Sequence, residues 1–113
     1  MMKMEIKLDE IRIRKDGEYD VAELWQMIDK EFASACTKEV QPDGSVMYTG
    51  IEDRDYFTDF ASAHMILSDK KWMAKYCVKW IWYDNDDDES HPYDKEDILA
   101  GERDDNLLFK RGM

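Results

Sequence analysis

Residues 71–94 read KWMAKYCVKWIWYDNDDDESHPYD and carry three of the chain's four tryptophans followed by its densest run of acids. Trp72, Tyr76, Trp80, Trp82 and Tyr83 are large rings, each able to remove about 150–250 Å² from water. They need a core around them. Asp84, Asp86, Asp87, Asp88 and Glu89 come next. They must stay wet, because an unpaired carboxylate is too costly to bury. Any fold for this chain has to run a central packing element straight out into a charged surface.

Two periodicities compete within 69–83. Read as a strand, Trp72, Ala74, Tyr76, Val78, Trp80 and Trp82 line one face. Read as a helix, Lys71, Lys75 and Lys79 fall at i, i+4 and i+8, and Trp72, Tyr76, Trp80 and Tyr83 form an aromatic stripe. Strands seldom exceed about ten residues, and Ser68 stands where a helix cap is wanted. The spacing predicts a largely buried helix. The lysines are then a solvated face whose stems cover rings. Trp82 lies among them on the helical wheel, either exposed or stacked under a lysine.

The remaining chain divides by pattern. Residues 4–14 alternate apolar and charged, with Ile6 and Leu8 out of phase with Ile11 and Ile13, which predicts two short strands or one with a bulge. Lys15-Asp16-Gly17-Glu18 is a turn, with Gly17 free to take positive φ. Val21, Leu24, Trp25, Ile28 and Phe32 form a single stripe, giving a helix over 20–35 capped by Asp20 with Glu23 in the box position. Thr37 to Gly50 reads as a hairpin around Pro42-Asp43-Gly44. A second helix is expected over 53–67, with Tyr56, Phe57, Phe60, His64 and Leu67 on one face. Pro92 and repulsion among acids make 84–93 a loop. Residues 94–100 suit a short helix capped by Asp94 and ended by Gly101. Leu107, Leu108 and Phe109 could dock the tail.

The expected fold class is α+β over a single domain, 1–113. A small antiparallel sheet of about three short strands is covered on one face by three helices, with an acidic loop and a short C-terminal helix. The expected core is Leu24, Trp25, Ile28, Phe32, Phe57, Phe60, Leu67, Trp72, Tyr76, Trp80 and Ile81. Neither Cys36 nor Cys77 lies in a C-x-x-C motif, and both fall in apolar stretches, so buried thiols are expected. No run approaches the 18 or so apolar residues of a membrane span, and the first residues lack a signal-like apolar segment. The expected location is the cytoplasm, with no membrane contact.

Charge placement matters more than the net value of −11. Residues 84–105 hold eleven acids against Lys95 and Arg103, a local balance of −9. The other residues are near neutrality. Such a field repels nucleic acid and anionic membrane and attracts basic protein surfaces.

The motifs that could carry chemistry fall short. Asp84, Asp86 and Asp88 have the spacing of the first calcium-loop ligands, but Glu89 stands where a glycine is needed and Lys95 where a bidentate glutamate is needed. His64 reads as a core histidine, and His91 as a solvated one beside carboxylates. A Cys77–His64 pair reads better as two residues on apolar faces. No P-loop, G-x-S-x-G or G-x-G-x-x-G occurs. The expectation is no enzyme, no catalytic residues, no cofactor and no dedicated metal site.

What remains is an interaction surface. Asp84, Asp86, Asp87, Asp88, Glu89 and Asp94, beside Trp82, are the candidate partner-binding residues. Aromatic anchors supply affinity and carboxylates speed encounter. The expected function is a non-enzymatic acidic binding module for a basic protein surface. In its sharper form it is an inhibitor that imitates nucleic acid and blocks the groove of a nucleic-acid-handling protein. In size and charge alone, the chain is similar to small acidic inhibitors encoded by phages and mobile elements. The alternatives are a protein-interaction module or tryptophan-mediated homodimer without mimicry, and a small metal-binding protein using the acidic loop.

Overall fold

The computed structural model describes residues 1–32, 35–51, 54–85 and 94–100. Five strands form one antiparallel sheet: β1 (Met2–Leu8), β2 (Cys36–Val40), β3 (Val46–Gly50), β4 (Cys77–Asp84) and β5 (Asp94–Asp97). Their order is β2-β3-β1-β4-β5, so the first strand is the centre and the two acid- and lysine-bearing strands are the edges. Four helices are α1 (Glu10–Asp16), α2 (Val21–Asp29), α3 (Phe57–Ser68) and α4 (Lys71–Tyr76). A further helical turn opens at Ile98. The class is α+β, with more strands and helices than the pattern suggested.

Strand alternation sorts the two faces of the sheet. Met4 is opposite Tyr48 and Trp82, and Ile6 is opposite Val46 and Trp80. These residues face the helices. Met4, Ile6, Val46, Tyr48 and Trp80 are buried there with Leu24, Ile28, Phe60 and Leu67. Phe32 stacks on Tyr48 at 4.0 Å between centroids, and His64 meets Trp80 edge-on at 5.3 Å. Lys3, Glu5, Lys7, Lys79, Ile81 and Tyr83 point to the other face.

The predicted helix over 69–83 is instead two elements. Lys71–Tyr76 is helical and buries Trp72, Met73 and Tyr76; Cys77 turns extended and opens β4. Each periodicity governs half of the stretch. From Cys77 on the residues are mostly β-branched or aromatic, which suits a pleated surface, and β1 offers a hydrogen-bonding edge over its whole length. Lys79 therefore leaves the lysine stripe for the open face of the sheet. Trp82 lies on the opposite face from it, so no lysine of that stripe covers its ring.

Residues 10–16 are likewise helical, not extended. Asp9 caps this helix by accepting from the Arg12 amide, Arg14 and Lys15 occupy its last turn, and Gly17 closes it at φ 69°. Ile13 is buried while Ile11 stays exposed. The phase shift between the isoleucines and Leu8 marks a change of element, with a register shift between Lys7 and Leu8. The helix expected over 20–35 ends at Asp29, and its Asp20 cap accepts from the Ala22 amide.

The hairpin around Gly44 forms as expected, with Gly44 at φ 87°. The 94–100 segment departs from expectation. Asp94 is in a strand, and Asp97 caps the following turn by accepting from the Ala100 amide at 3.1 Å. Phe57 and Ile81 are not core residues: Phe57 is 55% exposed and Ile81 lies half-buried on the open face. Trp25 is only partly buried. Neither cysteine forms a disulfide; Cys77 is buried and Cys36 half-buried. Among the described residues, no helix is long and apolar enough to cross a membrane.

Candidate partner-binding site

Three of the sequence-selected residues converge at the β4–β5 edge. Trp82 pairs with Glu96 across the strands, and Asp84 pairs with Asp94. Strand parity places all four side chains on the helix-bearing face. Phe57, at the start of α3, reaches the same spot. Together with Lys95 these residues line a cavity of about 200 Å³.

The aromatic part is built by α3. Tyr56, Phe60, Ala63 and Leu67 are buried at spacings of four, three and four. That stripe turns Phe57 and His64 to its flank, where both meet Trp82. The Phe57 and Trp82 rings lie 5.6 Å apart at 32°, and His64 stands edge-on to Trp82 at 6.5 Å. Trp82 is half-buried, yet its Nε1 is fully covered and finds no acceptor among the described residues. Trp80, by contrast, donates Nε1 to Met4 Sδ at 3.2 Å. An unsatisfied buried donor costs stability, and Trp82 carries one among the described residues.

The polar part is acidic. Asp94 and Glu96 are exposed, and among the described residues neither forms an ion pair. Directly opposed like charges destabilise a strand pair, and Asp84 opposite Asp94 is such a pair. Lys95 points the other way, with Nζ 5.6 Å from the Tyr83 ring centroid on the open face. Asp86, Asp87, Asp88 and Glu89, the rest of the selected surface, lie outside the described residues, as does His91. Sequence reasoning missed Phe57 and Glu96. Ala63 was the available clue for Phe57, since it completes a buried stripe starting at Tyr56. Glu96 depended on the register of a strand read as a helix.

A second polar cluster lies on the open face. Ser45 Oγ sits 2.7 Å from Glu5 Oε2 and 2.6 Å from Asp43 Oδ1. Its single hydrogen serves one of them at a time. Lys79 Nζ completes the group at 3.1 Å from Glu5 and 3.4 Å from Asp43, and Tyr83 OH donates to Glu5 Oε1 at 2.8 Å. Burial pushes the Glu5 carboxyl up, but bonds from Ser45, Tyr83 and Lys79 together bring it below its usual value. Bonds from the Ser45 hydroxyl and amide hold Asp43 down to about 2. The hydrogen bond to Glu5 raises Lys79. Lys79 is thus held protonated and cannot act as a base toward Ser45 Oγ. This cluster pins the hairpin to the central strands.

No group of three or more His, Cys, Asp or Glu residues suited to a metal ion occurs among the described residues. Compared with family models, with curated proteins and with solved structures, the chain matches none.

Proposed function

We propose that the chain is a non-enzymatic acidic binding module that docks on a basic protein surface through the β4–β5 edge of its sheet. The carrying observation is that Asp84, Asp94 and Glu96 share one face and one cavity with Trp82 and Phe57, within a region that holds −9 of the net −11. Acid alone gives a solvated edge. Acid around partly exposed rings gives an anchor with a steering field.

The finer form of the reading is that the partner handles nucleic acid and that this edge occupies its basic groove. Affinity capture from the native cell, with and without nuclease, yields the partner to test. Direct binding of the purified partner should survive nuclease, and duplex DNA should compete with the chain for it. A ternary complex of partner, chain and DNA would contradict the groove-blocking form. Capture lost on nuclease treatment would contradict the docking reading itself.

A second reading rests on α3, whose outward side exposes Phe57, Met65 and Ile66. Trp72 and Trp80 are buried within the protomer, so a homodimer would use this helix, not those tryptophans. Sedimentation over a range of concentrations decides it.

A further inference from the structure

We infer that the cavity lined by Phe57, Trp82 and the acids of the β4–β5 edge receives an arginine guanidinium from the partner. This rests on the docking reading above and names the group recognised. Phe57 and Trp82, packed on each other at 5.6 Å, give the cavity one aromatic wall, and Asp84, Asp94 and Glu96 line the rest. That combination selects a cation that is also flat and weakly hydrated. A guanidinium stacks on rings and presents forked donors to neighbouring carboxylates; an ammonium is a compact, strongly hydrated point charge.

Three further observations point the same way. Asp94 and Glu96, one residue apart on β5, project to the same side without a cation among the described residues. The strand register sets Asp84 and Asp94 side by side at this edge. Lys95 also lines the cavity, but its ammonium lies over Tyr83 on the other face and pairs with none of these carboxylates among the described residues. A metal ion fits less well, since no three-ligand group of the right chemistry occurs among the described residues.

The test uses the full chain, ¹⁵N-labelled, and capped Gly-Gly-Arg-Gly-Gly as probe. Its lysine and citrulline counterparts serve as comparisons. Citrulline keeps the shape and loses the charge. The indole N–H signal of Trp82, assigned by Trp82→Phe, should shift saturably with the arginine peptide, along with the amides of Asp94 and Glu96. The lysine peptide should bind more weakly and the citrulline peptide hardly at all. Phe57→Ala removes an exposed ring and leaves the core intact; it should weaken the arginine peptide by about fivefold, the scale of one cation–π contact. Asp94→Asn should also weaken it while the protein stays folded.

Equal binding of the arginine and lysine peptides at this edge would overturn the guanidinium pocket and leave the acidic docking edge standing. So would unchanged arginine binding in Phe57→Ala. Absence of any shift at the edge with both cationic peptides would overturn the pocket and the docking reading together. A Trp82 shift that follows protein concentration without peptide would replace the arginine by a second copy of the chain.

Discussion

Ser45 is fully buried and shows how much a single small residue organises in this protein. It lies between Glu5 on the central strand and Asp43 in the hairpin turn, and Lys79 bridges the same two carboxylates. Asp43 has an ordinary value of 3.8 and falls to about 2 in the fold. A depressed carboxyl stabilises fully above its unfolded value and loses that contribution as pH falls through its folded one. Glu5 is shifted in the same direction. Denaturant titrations should therefore show stability draining between pH 3.8 and about 2. In Ser45→Ala that slope should be shallower, because alanine keeps the amide bond to Asp43 but loses the hydroxyl bond, so the carboxyl is held down less. Parallel slopes would mean that the Ser45 hydroxyl is not what lowers it. Gly50 matters for a different reason. A Cβ there would lie 2.5 Å from the buried Tyr56 ring, so Gly50→Ala should cost about 1–3 kcal/mol, the usual scale of overpacking. A denaturant midpoint equal to wild type would show that the ring yields freely.

At the scale of elements, local signals were legible and pairing was not. The hairpin turn, the Asp20 cap and the glycine at 17 each follow from one residue's backbone chemistry. Asp9, Glu10, Arg14, Lys15 and Gly17 are a complete set of helix-end signals, yet the apolar alternation of Ile11 and Ile13 outweighed them. Residues 69–83 carry helix and strand periods together, and only the edge of β1 decides where one gives way to the other. The candidate site divides in the same way. Trp82, Asp84 and Asp94 stand out by residue type, whereas Phe57 and Glu96 join them through the packing of α3 and the register of β5.

Two predictions belong to these elements. Trp80 is 1% exposed at the centre of β4. Trp80→Ala should cost about 3–5 kcal/mol, as large aromatic truncations in cores do; unfolding at the wild-type midpoint would remove it from the core. Asp94→Asn relieves the repulsion with Asp84 across β4 and β5. It should raise the melting temperature slightly while weakening cationic-peptide binding. A fall in melting temperature would show that Asp94 is there for stability and not for a partner.

Taken whole, the molecule separates its two kinds of surface by the order of its strands. The central strand carries the core, and the sheet ends on β5, whose sequence Asp-Lys-Glu-Asp is acidic. An acidic edge strand resists pairing with another edge of its own kind and favours a basic partner. Long-range attraction of this sort raises the association rate more than it slows dissociation, and salt screens it over about 10 Å at 0.1 M. The direct measurement is the association rate with the purified basic partner at low and high ionic strength, for wild type and for the double variant Asp94→Asn, Glu96→Gln. The account predicts a several-fold slower on-rate for the variant at low salt and convergence of the two proteins at high salt. Equal on-rates at low salt would contradict the docking edge.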